Sequence, residues 1–456
     1  MSDGGARHQM SAQAERSLRA SGEAGRGDGS GEARLAGQAE RDSGGAPLLW
    51  QALTRENMVL AWKRVKANAG SAGSDGLSVR QTAEHLAVHW PEVREQLLNG
   101  SYRPGPVRRV QIPKPEGGMR ELGIPTVTDR LIQQALLQVL QPLIDPSFSE
   151  HSYGFRPGRR ALDAVGRAQQ YVQAGYRTVV DVDLEKFFDR VNHDVLMDRL
   201  AKRIADAAVL RLIRRYLDAG IMVHGVVQER YEGTPQGGPL SPLLANVLLD
   251  EVDRALERRG HHFVRYADDC NVYVRSQQAG ARVMAGLRKR YAQLRLKVNE
   301  AKSTVASAFG RKFLGYSLWR SPSGEVKRAV ARKAVVAFKQ RIRRMTKRNA
   351  GRSMDEVAAE LRSYLLGWKA YFRHAQTPRV MRELDEWLRH RLRAVQLKQW
   401  RRGTTMYREL RALGATSEHA ARIASNSRRW WRNSRYELNR IMPIGYFDRL
   451  GVPRLS

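Results

Sequence analysis

Two stretches of this chain place carboxylates where β-strands end, and any fold it adopts has to accommodate both. Residues 178–182, Thr-Val-Val-Asp-Val, are a β-branched run of the buried-strand kind, bounded by Gly175 and ending in carboxylates at Asp183. Residues 263–266 and 271–274 are short strand patterns on either side of Asp268 and Asp269, which predicts a hairpin whose two-residue turn is the Asp-Asp pair. Taken singly, both features are ordinary. An Asp-Asp pair suits turn hydrogen bonding, and an Asp at a strand end often caps the next helix. Together they can supply what hard Mg²⁺ requires, because two ions about 4 Å apart need several carboxylates converging from adjacent strands. Asp183, Asp268 and Asp269 are therefore the candidate catalytic and metal-binding residues, with two Mg²⁺ as cofactor, Mn²⁺ as its substitute, and phosphoryl transfer as the chemistry.

The surrounding pattern mixes helices and strands. Residues 1–47 are rich in Gly, Ala, Ser, Arg and Glu with almost no large apolar side chains, and are expected to be a disordered tail. Helical spacing begins at Leu48 and breaks in the Gly-rich stretch 68–76. Residues 107–113 and 119–124 read as two strands around Pro-Glu-Gly-Gly, and helices are expected over 129–144 and 161–173. Ser241 reads as an N-cap with Pro242 at the first helical position, and that helix stops at Gly260. Beyond Trp319 the spacing is almost wholly helical, with Arg382, Arg389 and Arg393 on faces away from the apolar stripe.

Charge narrows the class of partner. The chain carries a formal +33, and a polyanion is the natural relief for such self-repulsion. The excess is not spread evenly: residues 320–456 hold 33 Lys/Arg against 11 Asp/Glu, about two-thirds of the net charge, whereas residues 1–47 are nearly balanced. The last third should bind phosphates, although a highly soluble helical surface would carry a similar composition. No run of about eighteen apolar residues is present to cross a bilayer, the N-terminus has no signal-like apolar segment, and a cytoplasmic protein is expected. With Cys270 as the only cysteine, internal disulfides and Cys-ligated zinc are excluded for this sequence.

The order of motifs from about Leu48 onward resembles that of group II intron reverse transcriptase/maturases, most closely the bacterial class C subgroup. The matching pieces are Ile-Pro-Lys-Pro-Glu-Gly-Gly-Met-Arg-Glu-Leu-Gly-Ile-Pro (112–125), Ser-Tyr-Gly-Phe-Arg-Pro-Gly-Arg (152–159), Asp-Leu-Glu-Lys-Phe-Phe-Asp (183–189), Thr-Pro-Gln-Gly-Gly-Pro-Leu-Ser-Pro-Leu-Leu-Ala-Asn (234–246), Tyr-Ala-Asp-Asp (266–269) and Phe-Leu-Gly-Tyr (313–316). The resemblance implies nucleotide-binding roles for Lys114 and Arg120 on the triphosphate, Phe188 under the sugar, Gln236 in the pocket and Lys302 close by. Each has a plainer reading as well: a solvated basic hairpin, a core aromatic, a turn, a surface lysine. Residues 363–373 resemble the maturase or thumb segment, where Tyr364, Trp368, Tyr371 and Phe372 are expected to pack, leaving RNA contact to arginines.

The fold class so implied is α+β, a right-hand polymerase of fingers, palm with antiparallel sheet and helical thumb, followed by a basic helical C-terminal region. Its expected divisions are 48–105 as an N-terminal extension of the fingers, 106–316 as fingers and palm, 317–400 as the thumb or maturase (X) domain, and 401–456 as a DNA-binding region. The expected partners are group II intron RNA, an RNA template with DNA primer, dNTPs and target DNA, with no membrane. Two other readings stay open, an RNA-binding maturase without polymerase activity and a reverse transcriptase recruited to defence or diversity generation.

Overall fold

Local sequence signals and burial together set the elements of the computed structural model, which describes residues 46–113, 119–223, 226–228, 231–234, 237–347, 351–435 and 437–456. The expected disordered tail therefore lies outside the described residues except for Ala46 and Pro47. The chain divides into two units, Met1–Ala164 with Thr178–Ala306, and Val165–Arg177 with Ser307–Ser456.

In the first unit the apolar pattern from Leu48 breaks at Leu53–Thr54 into α1 (Leu48–Ala52) and α2 (Arg55–Ala67). α3 (Val79–Leu98) follows the Gly-rich stretch behind a reciprocal Ser78–Gln81 capping box. β1 (Val107–Pro113) pairs antiparallel with β2 (Met119–Ile124), and α4 (Val127–Ile144) starts where the Thr126 hydroxyl accepts the Asp129 N–H. α5 (Ala161–Gln173) spans the boundary between the units and precedes β3 (Thr178–Val182). Then come α6 (His193–Ala201), α7 (Ala207–Asp218), β4 (Ile221–Val223), β5 (Val226–Gln228), α8 (Ser241–Glu257), β6 (His262–Tyr266), β7 (Asp269–Val274), α9 (Gln277–Gln293) and β8 (Thr304–Ser307).

Two sheets result, one in the order β6-β7-β3-β8 and one in the order β2-β1-β4-β5. The β6–β7 and β7–β3 pairs are antiparallel, whereas β1 and β4 run parallel. The first sheet shares its core with α8, through Val180, Val182, Cys270 and Val272 on strands and Leu244, Val247, Leu248 and Val252 on the helix. α9 packs close to it at Gly280, where an added Cβ would lie 2.3 Å from Val305 Cγ1. α8 departs from expectation at its start. Leu240 occupies the N-cap, Ser241 and Pro242 are helical, and the buried Ser241 Oγ accepts from the Thr234 hydroxyl at 3.1 Å instead of capping.

The second unit departs from the expectation of almost wholly helical structure beyond Trp319 by a strand at Val326–Val330. β9 (Lys312–Phe313), β10 (Tyr316–Arg320) and β11 (Val326–Val330) form a sheet in the order β11-β10-β9, with Trp319 inside β10. Ser321–Gly324 is the turn, with Gly324 at φ 87°. Five longer helices follow: α10 (Arg332–Met345), α11 (Met354–Phe372, begun by a Ser353–Glu356 capping box), α12 (Pro378–Trp400), α13 (Gly403–Ala412) and α14 (Ser417–Ser425). The short α15 (Trp430–Asn433), α16 (Glu437–Ile441) and α17 (Ile444–Arg449) complete it. Trp368 and Phe372 are buried in an aromatic cluster with Phe338, at centroid distances of 4.7 and 4.6 Å along the series Phe338, Trp368, Phe372. Tyr364 stacks on Phe338, and Tyr371 donates to the Leu314 carbonyl at 2.8 Å. Among the described residues, no helix is long and apolar enough to cross a membrane.

Candidate active site

Strand register puts the three candidate aspartates at one end of adjoining strands, Asp183 just past β3 and Asp268 and Asp269 where β6 turns into β7. Val182 on β3 faces Cys270 on β7, the last pair of that ladder, and Asp183 and Asp269 are the residues next to this pair along the two chains. Tyr266 on β6 pairs with Asp269. The hairpin turn is therefore Ala267-Asp268, one residue earlier than expected, and Asp269 is the first residue of β7. The shift follows from Ala267 taking a left-handed conformation, φ 57°, which lets the turn close in two residues with the twist a tight hairpin needs.

The backbone of Asp183 is held from the segment after α9. Ser303 Oγ accepts the Asp183 N–H at 3.0 Å, and the Asn299 N–H reaches the Asp183 carbonyl at 2.8 Å. Lys302, from the same segment, puts its exposed Nζ 3.7 Å from Asp183 Oδ2. Asp183 and Asp268 are partly buried and Asp269 is exposed. Among the described residues no three His, Cys, Asp or Glu side chains are gathered as tightly as a bound ion would draw them. The donor set nevertheless fits a hard cation, since it is made of carboxylates, and the neighbouring Cys270 thiol is buried and pushed up to about 12 by desolvation.

Of the nucleotide-binding candidates, Lys114, Gln236 and the side chain of Arg120 lie outside the described residues. Phe188 is partly buried against the core, edge-on to Phe187 at 5.0 Å. Its carbonyl accepts the Thr234 N–H at 2.7 Å, and Val191 likewise accepts Gly233 at 2.6 Å, so the loop leading to α8 is stitched to the segment that follows Asp183. At the far side of that loop, an added Cβ on Gly237 would meet the Gly123 carbonyl at 2.4 Å and one on Gly238 would meet Gln133 Oε1 at 2.5 Å. Those two glycines are needed for close approach to β2 and α4.

The residues that sequence reasoning missed lie beneath the turn. Arg265 and Asp253 are both fully buried and joined by three contacts, Nε to Oδ1 and Oδ2 at 2.9 Å each and Nη2 to Oδ2 at 2.6 Å. Burial pushes the Asp253 carboxyl upward, against the opposing pull of Arg265. Arg265 Nη1 donates to Asn246 Oδ1 at 2.9 Å and to the Ala267 carbonyl at 3.0 Å. Asn246 Nδ2 donates in turn to the Gly154 carbonyl at 2.9 Å. The only sequence signal was an arginine in an otherwise apolar strand, and its partners lie 12 and 19 residues away.

The basic second unit is not uniformly available to a polyanion. Arg389 and Arg393, expected at the surface, are buried. Arg389 donates to Asp385 Oδ1 at 3.0 Å and to the Pro453 carbonyl at 3.1 Å, and burial lowers its pKa. Arg393 donates to the Met442 carbonyl and to Asn439, and burial pushes its pKa down to about 10. Exposed charge is spread over other positions, among them Arg428, Arg429, Arg432, Arg435 and Arg440, and α10, where Arg332, Lys333, Arg341, Arg343 and Arg344 face outward while Phe338, Ile342 and Met345 face in. Lys339, Arg343 and Arg391 surround the Trp387 ring at 5.4 to 5.7 Å.

Comparison with known proteins finds two family matches along the chain. Residues 112–318 match the family described as reverse transcriptase (RNA-dependent DNA polymerase), and residues 335–414 match the group II intron maturase-specific domain. Protein YkfC of Escherichia coli (strain K12) is 40% identical over 195 residues, 42% of this chain and 51% of that protein. The group II intron-encoded protein LtrA of Lactococcus lactis subsp. cremoris is 40% identical over 164 residues, 36% of this chain and 27% of LtrA. The chain thus matches about half the length of the first relative and about a quarter of the second. A solved partial Cas6-RT-Cas1–Cas2 complex aligns over 54% of this chain and 42% of that chain, at 27% identity and a TM-score of 0.36.

Proposed function

We propose that this chain, which belongs to the group II intron reverse transcriptase/maturase family, copies intron RNA into DNA and binds the same RNA to assist its splicing. The observation that supports the polymerase half is the register that pairs Val182 with Cys270, which leaves Asp183 and Asp269 as the next residues at one end of adjacent strands, with Asp268 in the adjoining turn. In this reading the sheet β6-β7-β3-β8 is the palm, the β1–β2 hairpin with residues 48–105 belongs to the fingers, residues 317–400 form the thumb or maturase domain, and residues 401–456 meet target DNA.

Two Mg²⁺ ions held by Asp183, Asp268 and Asp269 would, when bound, activate the primer 3′-hydroxyl and neutralise charge on the transferred phosphoryl group. The remaining work falls to the chain itself. Lys114 and Arg120 would take the triphosphate by charge-assisted hydrogen bonds, with Gln236 lining the pocket. Phe188 would lie under the sugar, where a ribose 2′-hydroxyl meets the ring, favouring dNTPs. Lys302, already beside Asp183, has the reach and charge to meet a phosphate bound there. Exposed cations on α10 would follow the RNA backbone.

The test is primer extension on an RNA template, run beside a splicing assay with intron RNA. Asp268→Ala or Asp269→Ala is expected to abolish Mg²⁺-dependent dNTP incorporation while RNA binding stays nearly unchanged. Full incorporation by either variant would sink the catalytic assignment. Assisted splicing by a wild-type chain that incorporates nothing would favour the reading as an RNA-binding maturase alone.

A further inference from the structure

We propose that Arg265 is a positioning residue for the carboxylate turn, seating Ala267-Asp268 through the Ala267 carbonyl, with Asn246 and Gly154 completing the seat; this rests on the polymerase reading above.

A non-glycine residue at φ 57° persists only where its surroundings over-determine it, and here they do so from two sides. From below, the Arg265 guanidinium holds the Ala267 carbonyl while Asp253 fixes the guanidinium itself. From the side, the turn abuts Gly154, where an added Cβ would sit 2.2 Å from the Ala267 nitrogen. Gly154 cannot retreat, because Asn246 holds its carbonyl and the preceding residues pair along β6. Arg265 N–H donates to the His151 carbonyl at 2.9 Å, and Tyr153 N–H donates to the Arg265 carbonyl at 2.8 Å.

This arrangement gives work to one motif that the nucleotide chemistry leaves unused and to the far end of another. Ser-Tyr-Gly, residues 152–154, is the strip alongside β6. Arg156 folds that strip into place by donating to the Ser149 and Ser152 carbonyls at 2.6 and 3.0 Å and to Asp145 Oδ1 at 3.0 Å. Asn246, the last residue of the Gly-Gly-Pro motif, reaches both Gly154 and Arg265. For stability alone, an apolar pair of similar volume would serve as well as a buried Arg–Asp pair. What an apolar pair lacks is the fork of donors that spends two nitrogens on Asp253 and a third on the turn. Since Asp268 and Asp269 adjoin Ala267, a small displacement of that carbonyl moves two of the three carboxylates relative to Asp183.

The decisive variant is Arg265→Met combined with Asp253→Leu, which removes the carbonyl donor without leaving a buried charge. It is compared with wild type by thermal melting, binding of an RNA template annealed to a DNA primer, Mn²⁺ binding by electron paramagnetic resonance, and dNTP incorporation. The expected result is a melting temperature close to wild type and unchanged template-primer affinity, with Mn²⁺ affinity and kcat each down about ten- to a hundredfold. Gly154→Ala keeps the ion pair and pushes on the turn alone, so the same losses are expected there even if the double variant fails to fold. Wild-type Mn²⁺ affinity and kcat in a folded double variant or in Gly154→Ala would overturn the positioning role and leave the polymerase reading standing. A wild-type chain that incorporates nothing would overturn both.

Discussion

Asp129 illustrates how one buried carboxylate can set a pH dependence. It accepts from the Tyr102 hydroxyl at 2.8 Å, the Thr126 hydroxyl at 2.7 Å and the Gly105 N–H at 3.1 Å. Burial outweighs these bonds and pushes its pKa up to about 6. A carboxyl raised in the folded state holds a proton that the unfolded chain has already lost. Its effect on stability is therefore most favourable below the unfolded value near 4, and turns unfavourable as pH rises through 6, by roughly 3 kcal/mol in all. Asp129→Asn should lose this dependence, so its stability relative to wild type should improve by that order between pH 4 and 7, read from denaturant midpoints. A constant difference across the range would refute the assignment. Lys302 is the contrasting case of an exposed cation 3.7 Å from Asp183, worth under about 1 kcal/mol to stability. Lys302→Ala should leave the melting temperature alone and raise the dNTP KM severalfold, with kcat nearly kept.

At the scale of elements, what was legible in the sequence was whatever local pattern alone decides. β1, β2 and β3 have the bounds that alternation and turn residues predict, and α5 the bounds that helical spacing predicts. The carboxylate turn was misplaced by one residue because nothing in Tyr-Ala-Asp-Asp announces that Ala267 will take the left-handed position, where Asn, Asp or Gly is the usual choice. Ser241 was misread because its hydroxyl has a tertiary partner, Thr234, that a capping rule cannot see. β10 and β11 were missed because Tyr-Ser-Leu-Trp and Val-Lys-Arg-Ala-Val are short and lie beside long helical stretches. Arg265 was invisible for a deeper reason: in a single sequence a buried ion pair and a solvent-facing arginine look alike. The packing of α9 on the sheet yields a prediction of its own. Gly280→Ala should destabilise the protein by about 1–3 kcal/mol through the clash with Val305. Adding Val305→Ala should recover part of that loss in a double-mutant cycle, and strict additivity would show that the two do not meet.

At the scale of the whole molecule, the charge reading survives in altered form. The excess of basic residues in the last third is real, but part of it is structural, since Arg389 and Arg393 hold the 439–453 stretch in place by binding its carbonyls and Asn439. Intron RNA affinity should fall steeply with salt, because each phosphate contact releases a counterion. Replacing Arg341, Arg343 and Arg344 together by Gln should reduce the slope of log affinity against log salt by about two to three, and an unchanged slope would place the RNA elsewhere. Arg389→Gln should act differently, lowering the melting temperature because Asp385 loses its buried partner.

The pairing of β3 with β7 also bears on how the chain is made. Val182 and Cys270 are neighbours in the sheet but far apart along the polypeptide, with α6, α7, α8 and the strands β4, β5 and β6 emerging between them. Contacts of such long sequence separation form late and slowly, because the intervening loop must close before the ladder repays it. During synthesis β3 leaves the ribosome well before β7 exists to pair with it. Until β7 emerges the β3 edge that it will cover lacks that partner, so the interval in which residues 183–274 are synthesised is the window in which mispairing of β3 competes with the native ladder.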